Sequence, residues 1–314
     1  MSSQPSSEGH VLVIGAAGTD IIGRAAASLH GGTSNPGQVR MCYGGVARNI
    51  AENLVRLGTE TILITSVGDD EIGQQLMKHA TSAGIGIEYA IVTPDMPTGA
   101  YLAVLDDQGG LHFALDDMSA IEAITPAFLR EHRSLFKDAA AIVVDANLPP
   151  KSLATAVSLA RRADVPVCAD PTSLSLAKRL EPHLSDLWLI TPNEAEAGAL
   201  CPQPVPHADR VQAIDAARHL VSQGVAIALI TMAEFGVAYA SPESSGHIPA
   251  VQTEIIDPTG AGDALTAALI FALLNDIPLD EAARLGASAA SLTLRTTGSV
   301  VPNLSLELLY DQLR

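Results

Sequence analysis

A chain of 314 residues with 47% hydrophobic content can bury a large core, which excludes a disordered polypeptide and fits either one large α/β domain or a domain with a smaller appendage. A formal net charge of −17, from 35 acidic and 18 basic side chains, leaves no basic stripe to displace the counterions of a nucleic acid, so no nucleic acid is expected as a partner. Three scattered cysteines, Cys42, Cys168 and Cys201, imply neither a disulfide framework nor a zinc site and fit a cytoplasmic protein.

Residues 1–9 are polar, lack a basic and apolar leader pattern, and read as a flexible tail. Val11–Ile14 is a short apolar run closed by Gly15, a buried strand leading to Asp20. Residues 31–38 form a turn cluster and Val39–Tyr43 a short strand. Gly44-Gly45 then opens an amphipathic helix with Val46, Ile50, Leu54 and Leu57 at helical spacing and a stop at Gly58. Ile62–Val67 is a second buried strand, and Glu71–Ala83 is a helix ended by Gly84. From Ile87 to Ile121 consecutive strands replace this alternation. Thr98–Leu105 and Leu111–Leu115 flank D-D-Q-G-G, a hairpin signal, so a small projecting sheet is expected.

Alternation resumes with helix 126–138, strand Ala141–Val144, helix 150–163, strand Val165–Ala169, a helix near 173–181 and strand Leu187–Ile190. Helices 193–200 and 208–222, strand Ala226–Ile230, a β pair across 236–256, and helices after Gly262, at 278–294 and at 304–313 complete the chain. Repeated strand–helix units predict an α/β fold with a mostly parallel sheet covered on both faces. The longest apolar run, Ala264–Leu274, is too short to span a bilayer, so no membrane is expected.

The stretch D-P-T-G-A-G-D-A-L from Asp257 carries the strongest chemical signal. Pro258 stops the preceding segment, Gly260 and Gly262 permit a tight turn, and a helix begins there with unpartnered amides at its positive end. Such a helix start can bind a phosphate, and Asp263 in its first turn can accept a proton beside it. The plainer reading of Asp263 is dipole complementation. Asp20, Asp170, Asn193 with Glu196, Thr231 and the 260–263 turn all fall at the carboxyl ends of predicted strands, where open α/β sheets bind ligands. Asn193 and Glu196 are one helical turn apart and suit hydrated Mg2+, although T-P-N-E is also a good helix start. No histidine spacing fits a transition metal, and neither G-x-S-x-G nor G-x-x-x-x-G-K-[ST] is present.

G-G-V-A-R-N-I-A at 44–51 with Gly58 and Gly68 after it, N-x-x-E at 193–196 and D-P-T-G-A-G-D-A at 257–264 resemble, in order, the motifs of the ribokinase-like, or PfkB, carbohydrate kinases. The resemblance spans residues 11 to about 303. It implies a three-layer α/β/α kinase domain over 1–314, with a small β-sheet lid from elements near 31–43 and 87–121. S-N-P-G at 34–37, residues 44–58, T-G-A-Y-L-A-V-L-D at 98–106 and D-D-M at 116–118 are most similar to the family's pseudouridine-phosphorylating branch.

That resemblance implies transfer of phosphate from ATP, with Mg2+, to the 5′-hydroxyl of pseudouridine. Asp263 would be the catalytic base, and Gly260, Ala261 and Gly262 would supply the anion hole. Asp20, Gly45 and Asn49 would hold the ribose, with Asn35, Thr98, Tyr101 and Asp117 as lid or base contacts. Asn193, Thr231, Gly236, Thr259, Gly260 and Gly262 would bind the nucleotide. Glu196 and Asn193 would hold Mg2+ through water, and Asp257 and Thr259 a K+ ion. The hairpin would be a lid or half of a β-clasp homodimer. Arg48 reads equally well as a residue near the site or as a solvated helix residue. Rival readings are a kinase for another nucleoside or a sugar such as ribose, and a catalytically silent nucleoside- or sugar-binding protein. Two departures stand out: Ala233 in T-M-A-E-F-G replaces the family's usual glycine, and Asp170 is followed by P-T-S in place of the commoner P-N.

Overall fold

The computed structural model describes residues 9–314, so the expected tail lies outside the described residues except for Gly9. The chain begins with β1 (His10–Ile14), β2 (Gly18–Ala25), β3 (Gly37–Gly44), α1 (Val46–Arg56), β4 (Thr61–Ile64) and β5 (Ser66–Gly68). It continues with α2 (Glu71–Ala83), β6 (Ile91–Thr93), β7 (Gly99–Leu105), β8 (Leu111–Asp117), α3 (Pro126–Glu131), α4 (Ser134–Lys137), β9 (Ala139–Asp145) and α5 (Pro150–Ala163). The C-terminal half holds β10 (Val167–Asp170), β11 (Leu189–Ile190), α6 (Glu194–Leu200), α7 (Arg210–Ser222), β12 (Ile227–Thr231), β13 (Val237–Ala240) and β14 (Ser245–Ile248). Three helices end it: α8 (Ala261–Leu274), α9 (Leu279–Leu294) and α10 (Leu306–Gln312).

The main sheet runs β14-β13-β12-β11-β10-β9-β1-β4. Its strands are parallel from β12 to β4, and antiparallel pairing occurs only at β12–β13 and β13–β14. All five residues of β1 and all seven of β9 are buried, as central parallel strands covered on both faces must be. Alternate residues feed two cores: Leu12, Ile14, Ile142 and Val144 pack on one face, and Val11, Val13 and Val143 pack with α1, α8 and α9 on the other. The result is the expected α/β architecture of helices, sheet and helices.

The small separate sheet has the order β3-β2-β7-β8, with β2 and β7 parallel. Its second strand, β2, was not anticipated, because T-D-I-I-G-R mixes charge and glycine with too few apolar residues to read as a strand. Of the expected lid segment 87–121, β6 instead pairs with β5 in a separate two-stranded sheet. The expected helix 126–138 is broken at His132–Arg133 into α3 and α4. The expected helix near 173–181 is a 3₁₀ segment over Ala177–Asp186 with Pro182 inside it, where proline removes a backbone donor. The β pair ends at Ile248, and residues 249–256 form no strand.

Candidate active site

The site lies where the carboxyl ends of β1, β9 and β10 meet the starts of α1 and α8, under one face of the four-stranded sheet. One carboxylate organises its floor. Asp145, at the end of β9, accepts the amides of Ala16 (2.8 Å), Ala47 (3.2 Å) and Asn147 (3.0 Å), so it pins the turn after β1 to the start of α1. A Cβ at Gly15 would fall 2.3 Å from the Asp145 carboxylate, which is why that turn needs glycine. Gly45, at φ 92, brings its backbone against Ala16 and Ala17 in the same way. Asp145 had no sequence signal beyond its place at a strand end. Burial pushes its carboxyl up to about 6.

Asp263 sits buried in the first turn of α8, and its Oδ2 accepts a 2.6 Å hydrogen bond from Asn49 Nδ2 on α1. The Asn49 Oδ1 is buried with no partner, an orphan acceptor in a structure that satisfies most such atoms. Burial, reinforced by Asp20 and opposed by the Asn49 bond, pushes the Asp263 carboxyl up to about 7. Asp20, from β2, is likewise raised to about 6 by burial. The helix start carries Gly260 at φ 79, where a Cβ would meet Ser299 O at 2.2 Å. A Cβ at Gly262 would meet nothing within 4 Å, so the turn opens to free space there. The amides of Gly262 and Asp263 stand in the first turn, beyond reach of an i−4 carbonyl. A buried carboxyl near neutral pKa beside free amides can take a proton while the amides receive negative charge.

Sheet register selects the residues above this floor. Asp20 pairs with Cys42 on β3 and with Tyr101 on β7, and Tyr101 pairs with Asp116 on β8, so these four side chains share the cleft face. Asp117, expected as a contact, falls on the opposite face, is exposed, and accepts the Ser119 amide at 3.0 Å; Asp116 is the acid on the face shared with Tyr101. Thr98 is also corrected. Its hydroxyl donates to Asp70 Oδ1 (2.7 Å) and accepts from Gly68 N (3.0 Å), clamping the start of α2. Asn35 is half-buried and bonds His30 and Thr33 within its own loop.

Arg48 is buried, not solvated. Its guanidinium donates to Gly44 O (3.2 Å), Tyr43 O, Glu52 (2.7 Å) and Ser299 Oγ (2.9 Å), joining the end of β3 to the loop behind the glycine turn. Glu52 is itself bonded to His79 and Arg56; burial would raise its carboxyl, but these partners and Arg48 bring it down to about 2.

On the other side of α8, Asn193, Thr231, Gly236, Ala261, Gly262 and Leu265 line a cavity of about 670 Å³. Four of the expected nucleotide residues therefore meet, while Thr259 and Gly260 do not line it. Asn193 and Glu196 form a capping box: Asn193 Oδ1 accepts Glu196 N (2.9 Å) and Glu196 Oε2 accepts Asn193 N (2.8 Å). Asn193 thus acts as the cap of α6, and its Oδ1 keeps a second lone pair beyond the bond from Glu196 N. Asp257 and Thr259 bond each other rather than flanking an open site. Ala233 and Thr172, the two departures from the family pattern, both adopt positive φ, 47° and 66°.

A profile described as pfkB family carbohydrate kinase matches residues 8–305. Over 299 residues, the chain is 32% identical to the pseudouridine kinase of Escherichia coli K12, covering 95% of this chain and 94% of that one. It is 28% identical over 297 residues to the guanosine-inosine kinase of Exiguobacterium acetylicum, covering 94% and 97%. The Arabidopsis thaliana ribokinase solved with ribose and ATP superposes with a TM-score of 0.84 at 20% identity, covering 98% and 99%, which demonstrates the shared fold. The chain belongs to the pfkB family of carbohydrate kinases, phosphotransferases that act on an alcohol group.

Proposed function

We propose that this protein transfers the γ-phosphoryl group of ATP to the 5′-hydroxyl of pseudouridine, giving pseudouridine 5′-phosphate and ADP. The observation that carries the reading is the pair Asn49–Asp263 at the glycine turn, roofed by Asp20, Tyr101 and Asp116 on one sheet face. The similarity to the E. coli pseudouridine kinase supports the choice of nucleoside. Asp20 and the orphan Asn49 Oδ1 are acceptors suited to ribose hydroxyls, and Tyr101 and Asp116 reach toward the base.

Asp263 takes the hydroxyl proton as that oxygen forms its bond to phosphorus and the bond to the ADP oxygen breaks. The amides of the Gly260–Asp263 turn receive the charge on the transferred group. The neighbouring cavity fits ATP, with its apolar wall against the adenine and Asn193, Thr231 and Gly236 at its edge. The donor set fits Mg2+: Asp170 and Glu196 are buried oxygen ligands, and burial, with Asp263 and Glu196 nearby, raises Asp170 well above its ordinary range. When bound, Mg2+ would neutralise the phosphate charge, held by Glu196 and Asp170 largely through water. The three free thiols suit reaction in the cytoplasm, and no helix among the described residues is long and apolar enough to cross a membrane.

The outer face of the four-stranded sheet carries Ile21, Val39, Met41, Leu102, Phe113 and Leu115; Val39 is 73% and Leu115 65% exposed. We take this apolar face as the surface that pairs with a second copy of the chain, leaving the polar face to act as a lid over the acceptor. An ATP-consumption assay in which pseudouridine, uridine, guanosine, inosine and ribose compete tests the substrate. Preference for any of the last four would replace pseudouridine, and nucleoside binding without turnover would favour a silent binding protein.

A further inference from the structure

The position expected to hold K+ does not fit a cation in this chain. Asp257 is fully buried, and its carboxylate accepts the Thr259 amide (3.0 Å), the Thr259 hydroxyl, the Gly298 amide (3.1 Å) and Arg40 Nη2 (2.6 Å). A carboxylate offers about four lone-pair sites, so none is left for a metal ion. Burial would raise this carboxyl, yet the bonds from Thr259, Arg40 and Gly298 outweigh it and hold it below the usual range. Its charge is already matched.

The matching cation comes from a distant strand. Arg40 lies on β3 opposite Ile22 and therefore shares the cleft face with Asp20, two residues earlier on β2. Its side chain is 30% exposed while Asp257 is sealed, so the guanidinium closes over the carboxylate from the cleft side. Asp257 and Thr259 immediately precede the glycine turn, and Gly298 leads to Ser299, against which Gly260 packs. One ion pair thus ties the four-stranded sheet to the backbone that shapes the anion-binding amides.

We propose that Arg40 supplies, from within the chain, the positive charge that a monovalent cation would otherwise bring to Asp257, so that phosphoryl transfer by this protein is indifferent to K+. The test compares KCl with tetramethylammonium chloride at equal ionic strength, using ligand-free melting curves and initial rates of ATP consumption. Wild type is expected to behave alike in both salts. Arg40→Ala is expected to melt about 5 °C lower and turn over about tenfold more slowly in tetramethylammonium, because it leaves a buried carboxylate unpaired. K+ should recover most of both losses. Arg40→Lys keeps the charge and should remain indifferent to K+. A K+-specific gain in wild type, or Arg40→Ala impaired equally in both salts, overturns the proposal. If Arg40→Ala does not fold, the melting curves of wild type and Arg40→Lys decide it without substrate.

Discussion

Asn49 Nδ2 stands 2.6 Å from Asp263 Oδ2, a bond between two helices whose starts form opposite sides of the same cleft. It is one of the influences that lower the Asp263 pKa, set against burial and Asp20, which raise it to about 7. Asn49→Leu removes that influence. The acid limb of the kcat/KM profile should move to higher pH, and kcat/KM at pH 8 should fall about ten- to a hundredfold. An unmoved acid limb would show that another group titrates there.

Asp263→Asn should lower turnover about 10²- to 10⁴-fold, the usual contribution of a positioned base. Stability should move the other way. The Asp263 carboxyl loses its proton near 3.8 when unfolded and near 7 when folded, so between those pH values the folded state holds more protons and stability falls as pH rises. The asparagine variant escapes this loss. It should therefore melt higher than wild type at pH 8 and gain little at pH 4, which calorimetry at both pH values checks.

Arg48 is a fully buried guanidinium with four acceptors. Arg48→Ala leaves Glu52 with only the part-exposed Arg56 and His79, and strips the Tyr43 and Gly44 carbonyls of a donor. The expected loss is about 3–5 kcal/mol in denaturant unfolding. A loss below about 1 kcal/mol would mean that water replaces the side chain.

Ala233 and Thr172 bear left-handed backbone at φ 47 and 66. Ala233→Gly should stabilise the protein by about 1 kcal/mol, since only the Cβ opposes that conformation. Thr172→Gly relieves a similar strain but loses the hydroxyl that accepts the Ala146 amide at 3.2 Å, so the two effects, each about 1 kcal/mol, should nearly cancel. Unfolding midpoints of the two variants separate these outcomes.

Met41 and Leu115 lie on the apolar outer face of the four-stranded sheet, 60% and 65% exposed. Met41→Glu with Leu115→Glu should weaken self-association at least about tenfold by placing like charges across a paired face. Sedimentation velocity against concentration measures this; a wild-type chain that is monomeric at every concentration removes the proposed pairing.

Periodicity and turn chemistry made most of the main sheet legible, because buried parallel strands such as Val11–Ile14 and the glycine-stopped helix Glu71–Ala83 carry strong local signals. The glycine turn at 260–263 was legible for the same reason, as its spacing is local, whereas Asn49 was singled out only through the resemblance of 44–51 to a family motif. Which of Asp116 and Asp117 shares the face of Tyr101 was not legible, because a one-residue change in register exchanges sheet faces, and register depends on the partner strands. Thr98 and Asn35 looked like contacts because a polar loop residue reads alike whether it faces a ligand, as expected, or is held by the protein itself, Thr98 by distant Asp70 and Asn35 by its own loop.

What the sequence by itself determined was the α/β alternation, the glycine-lined helix start and the acid within its first turn, all properties of short continuous segments. Only the tertiary structure decided which charges meet. Arg40 reaches Asp257, Arg48 reaches Ser299 and Asn49 reaches Asp263 across more than two hundred residues each. Such pairs leave no local pattern, because electrostatic and hydrogen-bond energies depend on distance in space and on burial, and folding alone sets both.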